Sequence, residues 1–150
     1  AIVEQFIAGR ELYVGLIGNE RLTAFPVWEL SFQKLREGAP QIATERLKWD
    51  TRYQRRVGVR TGPADLDEGQ QNLIWRLCKR AYRVLEQTGY ARMDLRMEDD
   101  GRLFLIESNP NPQLSYGEDF AESALAAGLE YGRLLERIIS LGLRRSRARR

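Results

Sequence analysis

Four polar side chains in one short stretch of the sequence could bind a divalent metal ion and phosphate: Arg92, Asp94, Glu107 and Asn109. Hard cations such as Mg²⁺ prefer oxygen ligands and commonly take one or two carboxylates together with the phosphates of a substrate. Two carboxylates and an amide oxygen fit this preference, and the planar guanidinium of Arg92 can hold a phosphate or acyl oxygen. The alternative is a solvated strand face carrying cross-strand ion pairs, which uses the same residue types.

These side chains share a face only if Tyr90–Leu114 folds as a β-hairpin leading into a proline-rich loop. The sequence Glu-Asp-Asp-Gly within it predicts the turn, because glycine suits the positive φ of a short loop. Pairing Met97 with Arg102 places Arg92 opposite Glu107 and brings all four polar residues together. The opposite face then collects the apolar residues of the hairpin: Met93, Leu95, Met97, Phe104 and Ile106. A slip of one residue would mix the two sets, so the pattern favours this register.

The composition removes several classes of chemistry. The 150 residues contain no histidine and a single cysteine, which excludes a histidine base, histidine or cysteine metal clusters, the usual serine triad and an internal disulfide. The cysteine, Cys78, lies in a helical pattern and is expected to be a buried small residue. With 43% hydrophobic residues, the chain can build the core of one domain or one large lobe. No apolar run approaches the ~20 residues of a membrane span and no signal-peptide pattern opens the sequence, so we expect no membrane partner and a cytoplasmic location.

The net charge of +3 depends on segment 144–150, which holds five arginines. Without it, 19 basic and 21 acidic residues leave a net charge of −2, so the rest of the chain is not a basic platform for nucleic acid. The segment itself could bind nucleic acid or acidic lipid, but a frayed, solvated terminus is the favoured interpretation. We therefore expect a lobe over residues 1–143 and an Arg-rich tail over residues 144–150.

The remaining pattern predicts strands that lead into helices. The expected strands before the hairpin are 1–7, with Phe6 in the core, 11–17, and 21–32 with an interruption at Pro26, followed by an irregular segment over 33–63. The expected helices run from an N-cap at Asp65, with Glu68 as its capping-box partner, to a stop at Gly89, and over 119–127 and 130–141. The first strand begins at residue 1 without a lead-in, which indicates a chain cut from something larger.

Three segments together resemble the C-terminal half of an ATP-grasp ligase, most closely the D-alanine–D-alanine ligase-like branch. Val3–Glu11 is similar to the family's strand–turn–strand that holds adenine and ribose, Ala91–Asp94 to its Arg-x-Asp strand, and Glu107–Pro112 to its Glu-x-Asn loop. Their order and spacing agree across nearly the whole chain, although each segment alone is a weak signal. The resemblance implies an α+β fold, the ATP-grasp C-terminal lobe, with a mostly antiparallel sheet and flanking helices.

The resemblance also implies a role for each residue at the phosphate end of the site. Asp94, Glu107 and Asn109 would hold one or two Mg²⁺ ions, or Mn²⁺ instead, that bridge the phosphates of ATP. Arg92 would steady the transferred phosphoryl or acyl group. Lys48 is similar to a lysine that reaches the phosphates in this branch, with a simple loop anchor as the alternative. Phosphoryl transfer of this kind depends on positioning and on metal ions, and it needs no histidine.

At the nucleotide end, the resemblance implies contacts to adenine and ribose. Glu4 and Glu11 would accept hydrogen bonds from the adenine amino group and the ribose hydroxyls. Gln5 and Ile7 would offer backbone groups to the adenine edge, and Ile106 would pack beneath the ring. For Glu11 the alternative is a surface ion pair with the adjacent arginine.

The implied activity joins two small-molecule substrates. ATP would activate a carboxylate as an acyl phosphate, and an amine or similar nucleophile would then attack it to form an amide-type bond. The family's N-terminal substrate domain and central lobe would be needed as partners, so these 150 residues alone are expected to be inactive. A homodimer is left open.

One position departs from the resemblance: Gln113 stands where these ligases usually carry glycine. That glycine allows a backbone donor close to the reacting acyl group, so we expect a related ligase with another acid or amine substrate and not D-alanine ligation itself. Two rival interpretations are a degenerate ATP-grasp module for nucleotide binding or assembly without catalysis, and a nucleic-acid binder acting through the arginine-rich tail.

Overall fold

The computed structural model describes residues 3–34 and 50–148. The strands in these ranges are β1 (Arg10–Ile17), β2 (Thr23–Ala24), β3 (Trp28–Phe32), β4 (Val59–Pro63), β5 (Tyr90–Met97) and β6 (Leu103–Asn109). The helices in the same ranges are α1 (Thr51–Val57), α2 (Glu68–Val84), α3 (Asp119–Ala126) and α4 (Tyr131–Ala148). The predicted α+β class is confirmed.

The strands form one antiparallel sheet in the order β4-β3-β1-β5-β6, with β2 paired to the end of β1. Strand β1 is central, and its longest pairing is with β5, from Arg10 opposite Met97 to Ile17 opposite Tyr90. This pairing joins residues about eighty positions apart in the chain. It therefore brings the start of the sequence onto the predicted hairpin.

One face of the sheet packs on helix α2. The alternating residues Leu12, Val14 and Leu16 of β1 are buried beside Ala91, Met93 and Leu95 of β5. Helix α2 covers them with residues that recur every fourth position: Ile74, Cys78 and Tyr82. Burial raises the pKa of Cys78 to about 12, so its thiol stays protonated at neutral pH, in agreement with the predicted buried cysteine.

The opposite face carries two separate apolar clusters. At one end of β1, Ile17 packs with Phe25 and with Phe120 from α3, whose rings stand edge to face at 5.4 Å. Toward the other edge of the sheet, Trp28 of β3 and Val57 of α1 belong to one buried cluster, which joins α1 to the sheet. The surface between the clusters is left to polar side chains of β1 and β5, and the site lies there.

Two predictions about the first half of the chain are wrong. Residues 3–8 are not a strand, because the chain turns at Gly9, where φ is +109°, before it enters β1. The segment predicted as irregular contains α1 and β4. Helix α1 is short but fully capped, since the Asp50 carboxylate accepts from the Tyr53 backbone N–H and Gly58 adopts the left-handed conformation at its end.

The helix boundaries also differ from the prediction. Helix α2 begins after Asp67, which forms a capping box with Gln70, and not after Asp65 with Glu68. Helix α4 continues to Ala148, well beyond the predicted end at residue 141, so most of the Arg-rich segment is helical and not frayed. No helix in the described ranges is both long and apolar enough to cross a membrane.

Candidate functional site

The hairpin forms, but its register differs from the predicted one. Met97 pairs with Leu103, not with Arg102, and a β-bulge interrupts β6 beside Asp94. In a regular strand, Leu103, Leu105 and Glu107 would all point to the same face of the sheet. The bulge adds one residue, Ile106, between Leu105 and Glu107. Leu103 and Leu105 therefore lie opposite core residues of β5, whereas Glu107 lies opposite Asp94 on the other face.

The four polar residues therefore share one face, as predicted, but they pair differently from the prediction. Asp94 lies directly opposite Glu107, and Arg92 lies directly opposite Asn109. The predicted burial of Phe104 and Ile106 with the core is wrong, because Phe104 faces Arg96 and Ile106 is 55% exposed.

A cavity of about 520 Å³ lies between this polar face and residues 3–9, here called the N-terminal segment. Residues that sequence reasoning singled out make up most of its wall: Glu4, Gln5, Ile7, Glu11, Arg92, Asp94, Ile106 and Glu107. Asn109, opposite Arg92, is not part of the wall, and Lys48 lies outside the described residues. Phe6 was expected in the core but is 53% exposed and also lines the cavity.

Arg96 attaches the N-terminal segment to the sheet. Its side chain is buried, and it donates to the carbonyl oxygens of Ile7 at 3.0 Å and Gly9 at 2.8 Å. It also forms an ion pair with Glu11 at 3.2 Å, and its guanidinium lies 5.5 Å from the centre of the Phe6 ring. A segment without strand pairing is thus held by one side chain of β5.

Glu11 is part of this network and not a surface partner of its neighbour. Its Oε1 accepts from the Tyr13 hydroxyl at 2.7 Å, while its Oε2 accepts from Arg96. Arg10 points to the other face of β1, where it forms a bidentate pair of hydrogen bonds with the Glu29 carboxylate. The alternative of an Arg10–Glu11 pair is therefore wrong.

Arg92 is held from two sides. It donates both Nε and Nη2 to the two oxygens of Asp94, each at 2.7 Å, and its guanidinium lies over the Tyr13 ring at 4.8 Å from the centroid. Burial lowers the pKa of Arg92, but the bonds and charge of Asp94 outweigh this and raise it overall. The guanidinium is a fixed positive charge at the cavity floor.

The surroundings of Asp94 disfavour the charged form of its carboxylate. Burial raises its pKa above the usual range although Arg92 opposes the shift, and the charges of Glu107 and Glu11 add to the rise. A cation beside Asp94 would offset this cost. Both Asp94 oxygens keep a second acceptor site beyond the bonds to Arg92.

The donor set fits a hard cation that also takes oxygens from a substrate. The described ranges contain no group of three or more Asp, Glu, Cys or His residues that could enclose a metal ion. Two facing carboxylates with an open cavity beside them match the way Mg²⁺ is held with phosphate oxygens completing its shell. The Asn109 side-chain oxygen accepts from the Asn111 backbone N–H at 2.9 Å, and it has one further acceptor site.

Sequence reasoning missed Tyr13 and Arg96. The alternation of the hairpin did place Arg96 on the same face as Asp94, which was a usable signal. Nothing local could have shown its partners, because the Glu11–Arg96 and Tyr13–Asp94 pairs exist only through the long-range β1–β5 pairing.

The two contacts of Tyr13 can be separated by substitution. Tyr13→Phe removes the hydroxyl that donates to Glu11 and is expected to cost about 1 kcal/mol of unfolding free energy. Tyr13→Leu also removes the ring beneath Arg92 and should cost roughly 0.5–2 kcal/mol more. Urea denaturation measures both. Tyr116→Phe, at a ring that is 74% exposed, is the control, and a Tyr13→Phe variant as stable as the control would contradict the assignment.

Comparisons with known proteins show the family to which the chain belongs. The model of the family D-ala D-ala ligase C-terminus matches residues 1–140. The D-alanine–D-alanine ligase of Desulfotalea psychrophila is 30% identical over 149 residues, which cover 99% of this chain and 44% of that protein.

Solved structures show the same fold. The D-alanine–D-alanine ligase of Bacillus anthracis complexed with ATP superposes with a TM-score of 0.75 at 21% identity, over 98% of this chain and 42% of that one. The VanG D-Ala:D-Ser ligase of Enterococcus faecalis superposes with a TM-score of 0.71 at 19% identity, over 92% of this chain and 37% of that one. The chain thus spans less than half the length of these relatives. A family match over nearly the whole chain, together with the shared fold, means that this chain belongs to the D-alanine–D-alanine ligase C-terminal family.

Proposed function

We propose that the chain is the ATP- and Mg²⁺-binding lobe of an ATP-dependent ligase that activates a carboxylate as an acyl phosphate and joins it to an amine or similar nucleophile. The observation that carries the proposal is the placement of Asp94 opposite Glu107 on the floor of the cavity that the N-terminal segment covers. The cavity has the size of a small-molecule site. Similar proteins named as ligases, one of them solved with ATP, support it.

At the phosphate end, the carboxylates of Asp94 and Glu107, with the Asn109 amide oxygen, would hold the metal. A bound Mg²⁺, or Mn²⁺ in its place, would neutralise the charge of the phosphate oxygens during transfer. Arg92 is suited to hold the transferred phosphoryl or acyl group, because Asp94 and Tyr13 fix its direction while other N–H donors remain. Lys48 is assigned to the phosphates through the family pattern alone.

At the nucleotide end, the cavity wall supplies the groups that adenosine needs. Glu4 and Glu11 are the acceptors for the adenine amino group and the ribose hydroxyls, and Gln5 and Ile7 offer backbone groups to the adenine edge. The exposed side chain of Ile106 can pack against the flat face of the base. The bulge that turns Ile106 outward is consistent with this use.

The substrates are proposed to be a small carboxylic acid and a small amine other than a pair of D-alanines. Gln113 stands in the loop after the metal residues, where these ligases usually carry glycine, and its exposed side chain donates to the Ser115 hydroxyl at 3.3 Å. The rest of the ligase, including the domains that bind the acid and the amine, would come from residues beyond this chain.

The proposal is tested by calorimetric titration of the protein with ATP, with and without Mg²⁺. Glu107→Gln and Asp94→Asn are expected to weaken the Mg²⁺-dependent binding roughly 10- to 100-fold, because each removes a charged ligand. Glu107→Gln is the cleaner variant, since Asp94 also holds Arg92. Asp99→Asn, which removes an exposed carboxylate from the hairpin turn, is the matched control.

Equal binding by all three variants and the wild type would refute the metal assignment. Release of ADP by the full-length protein, in a screen of acids and amines, separates the ligase from a module that only binds nucleotide. Binding of ATP by the full-length protein without ADP release in any acid–amine pair would favour that second function.

A further inference from the structure

A second cavity, of about 590 Å³, shares no wall residue with the proposed nucleotide site. Its walls come from the turn after β1 (residues 18–21), from Thr88 before β5, and from α4. Four arginines line it against a single carboxylate, Glu20; they are Arg21, Arg137, Arg144 and Arg145. We call it the arginine cavity.

The continuation of α4 creates this concentration of charge. Arg137, Leu141, Arg144 and Arg145 follow at intervals of four, three and one residues, which places them on one side of a helix. Leu141 is buried against the α3–α4 cluster, so that side of the helix is turned toward the body of the protein. Two of the five arginines of the terminal segment are therefore directed to a defined cavity.

The walls of the cavity are fixed by hydrogen bonds. The buried Tyr82 hydroxyl donates to the Gly18 carbonyl oxygen at 2.9 Å. Asn19 joins all three walls, because its side chain accepts from the Gly89 backbone N–H at 2.9 Å and donates to the Leu141 carbonyl at 3.2 Å. A ligand would meet a preformed cavity and would not need to order it, which lowers the cost of binding.

The guanidinium groups keep donors for a ligand. Arg137 uses Nη2 on the Thr23 hydroxyl, and Arg144 uses Nε on the Ser140 carbonyl. Each guanidinium has five N–H donors, so most of them remain available. Four positive groups around one cavity repel one another, and an anion that binds among them relieves that repulsion.

We infer that the arginine cavity binds a small anion that carries at least two negative charges on phosphate groups. The planar fork of arginine matches phosphate oxygens in pairs, and the excess of three positive charges over Glu20 calls for a polyvalent ligand. The volume is that of a small-molecule site. The concave shape and the net charge of −2 on residues 1–143 argue against a nucleic-acid duplex.

The test is calorimetric titration of the protein with pyrophosphate, in EDTA and without Mg²⁺ so that no metal can recruit it to Asp94 and Glu107. Wild type is expected to show one saturable site. The double variant Arg144→Ala/Arg145→Ala should weaken it roughly tenfold or more. The control Arg76→Ala/Arg80→Ala removes the same charge from the exposed side of α2 and should change affinity by less than roughly twofold. Unchanged thermal unfolding of both variants verifies the fold.

Three outcomes would overturn the inference. The first is no saturable binding, or equal binding by wild type and Arg144→Ala/Arg145→Ala. The second is an equal loss in the control, which would indicate a general effect of net charge. The third is citrate or a short RNA competing as well as pyrophosphate, which would assign the cavity to polycarboxylates or to nucleic acid. Because the cavity does not include Asp94 or Glu107, the result is independent of the proposed ligase function.

Discussion

Arg96→Ala is expected to be among the most damaging single substitutions in this chain. The change leaves the Glu11 carboxylate without its buried partner and releases the carbonyl oxygens of Ile7 and Gly9. Breaking a buried ion pair from one side typically costs about 3–5 kcal/mol. The N-terminal segment then loses its attachment, so ATP affinity should fall as well. Urea denaturation measures the first effect and calorimetric titration with ATP the second.

Two further variants make this prediction sharp. Arg96→Lys keeps the charge near Glu11 but cannot reach all three acceptors, so it should lie between wild type and Arg96→Ala. Arg102→Ala, on the same hairpin, removes an arginine whose side chain is 67% exposed and should cost less than about 1 kcal/mol. If Arg96→Ala and Arg102→Ala were equally stable, Arg96 would not anchor the segment.

Gly9→Ala is expected to destabilise the same region through the backbone. Gly9 adopts a φ of +109°, and a Cβ built there would overlap the carbonyl oxygen of Met97, which is backbone and cannot rotate away. We expect a loss of at least roughly 2 kcal/mol of unfolding free energy, since this conformation is strained for any residue with a Cβ. Displacement of the segment should also weaken ATP binding.

The matched control is Gly142→Ala in the interior of α4. A Cβ at Gly142 meets nothing within 4 Å, and alanine is the better helix former, so this variant should be more stable by roughly 0.5–1 kcal/mol. Opposite signs for the same substitution at the two glycines are the expected result. A Gly9→Ala variant with wild-type stability and ATP affinity would show that the N-terminal segment can shift without consequence.

The sequence by itself determined the features that depend on local chemistry. Alternation within β5 puts Arg92 and Asp94 on one face, and alternation within β6 puts Glu107 and Asn109 on one face, because successive side chains on a strand alternate whatever the rest of the fold does. The α+β class and the family of the chain were also predicted from the sequence, and both predictions are confirmed. The metal and nucleotide roles of these residues are predictions, and so is that of Lys48, which lies outside the described residues.

Tertiary structure alone decided how those residues are held. The β-bulge at Ile106 lets the leucines of β6 face the core while Glu107 faces the site. No local sequence signal marks this bulge, because its position depends on packing at both faces of the sheet. The Arg96–Glu11–Tyr13–Arg92 network arises from the β1–β5 pairing, which joins distant parts of the chain and is stabilised by the core beneath it. The arginine cavity likewise exists only because α4 packs along the turn after β1, whereas the sequence alone indicates a charged tail for two of its arginines, Arg144 and Arg145. Local alternation is set by the geometry of the backbone, but long-range pairing is set by which surfaces can be buried together, and only the folded chain contains that information.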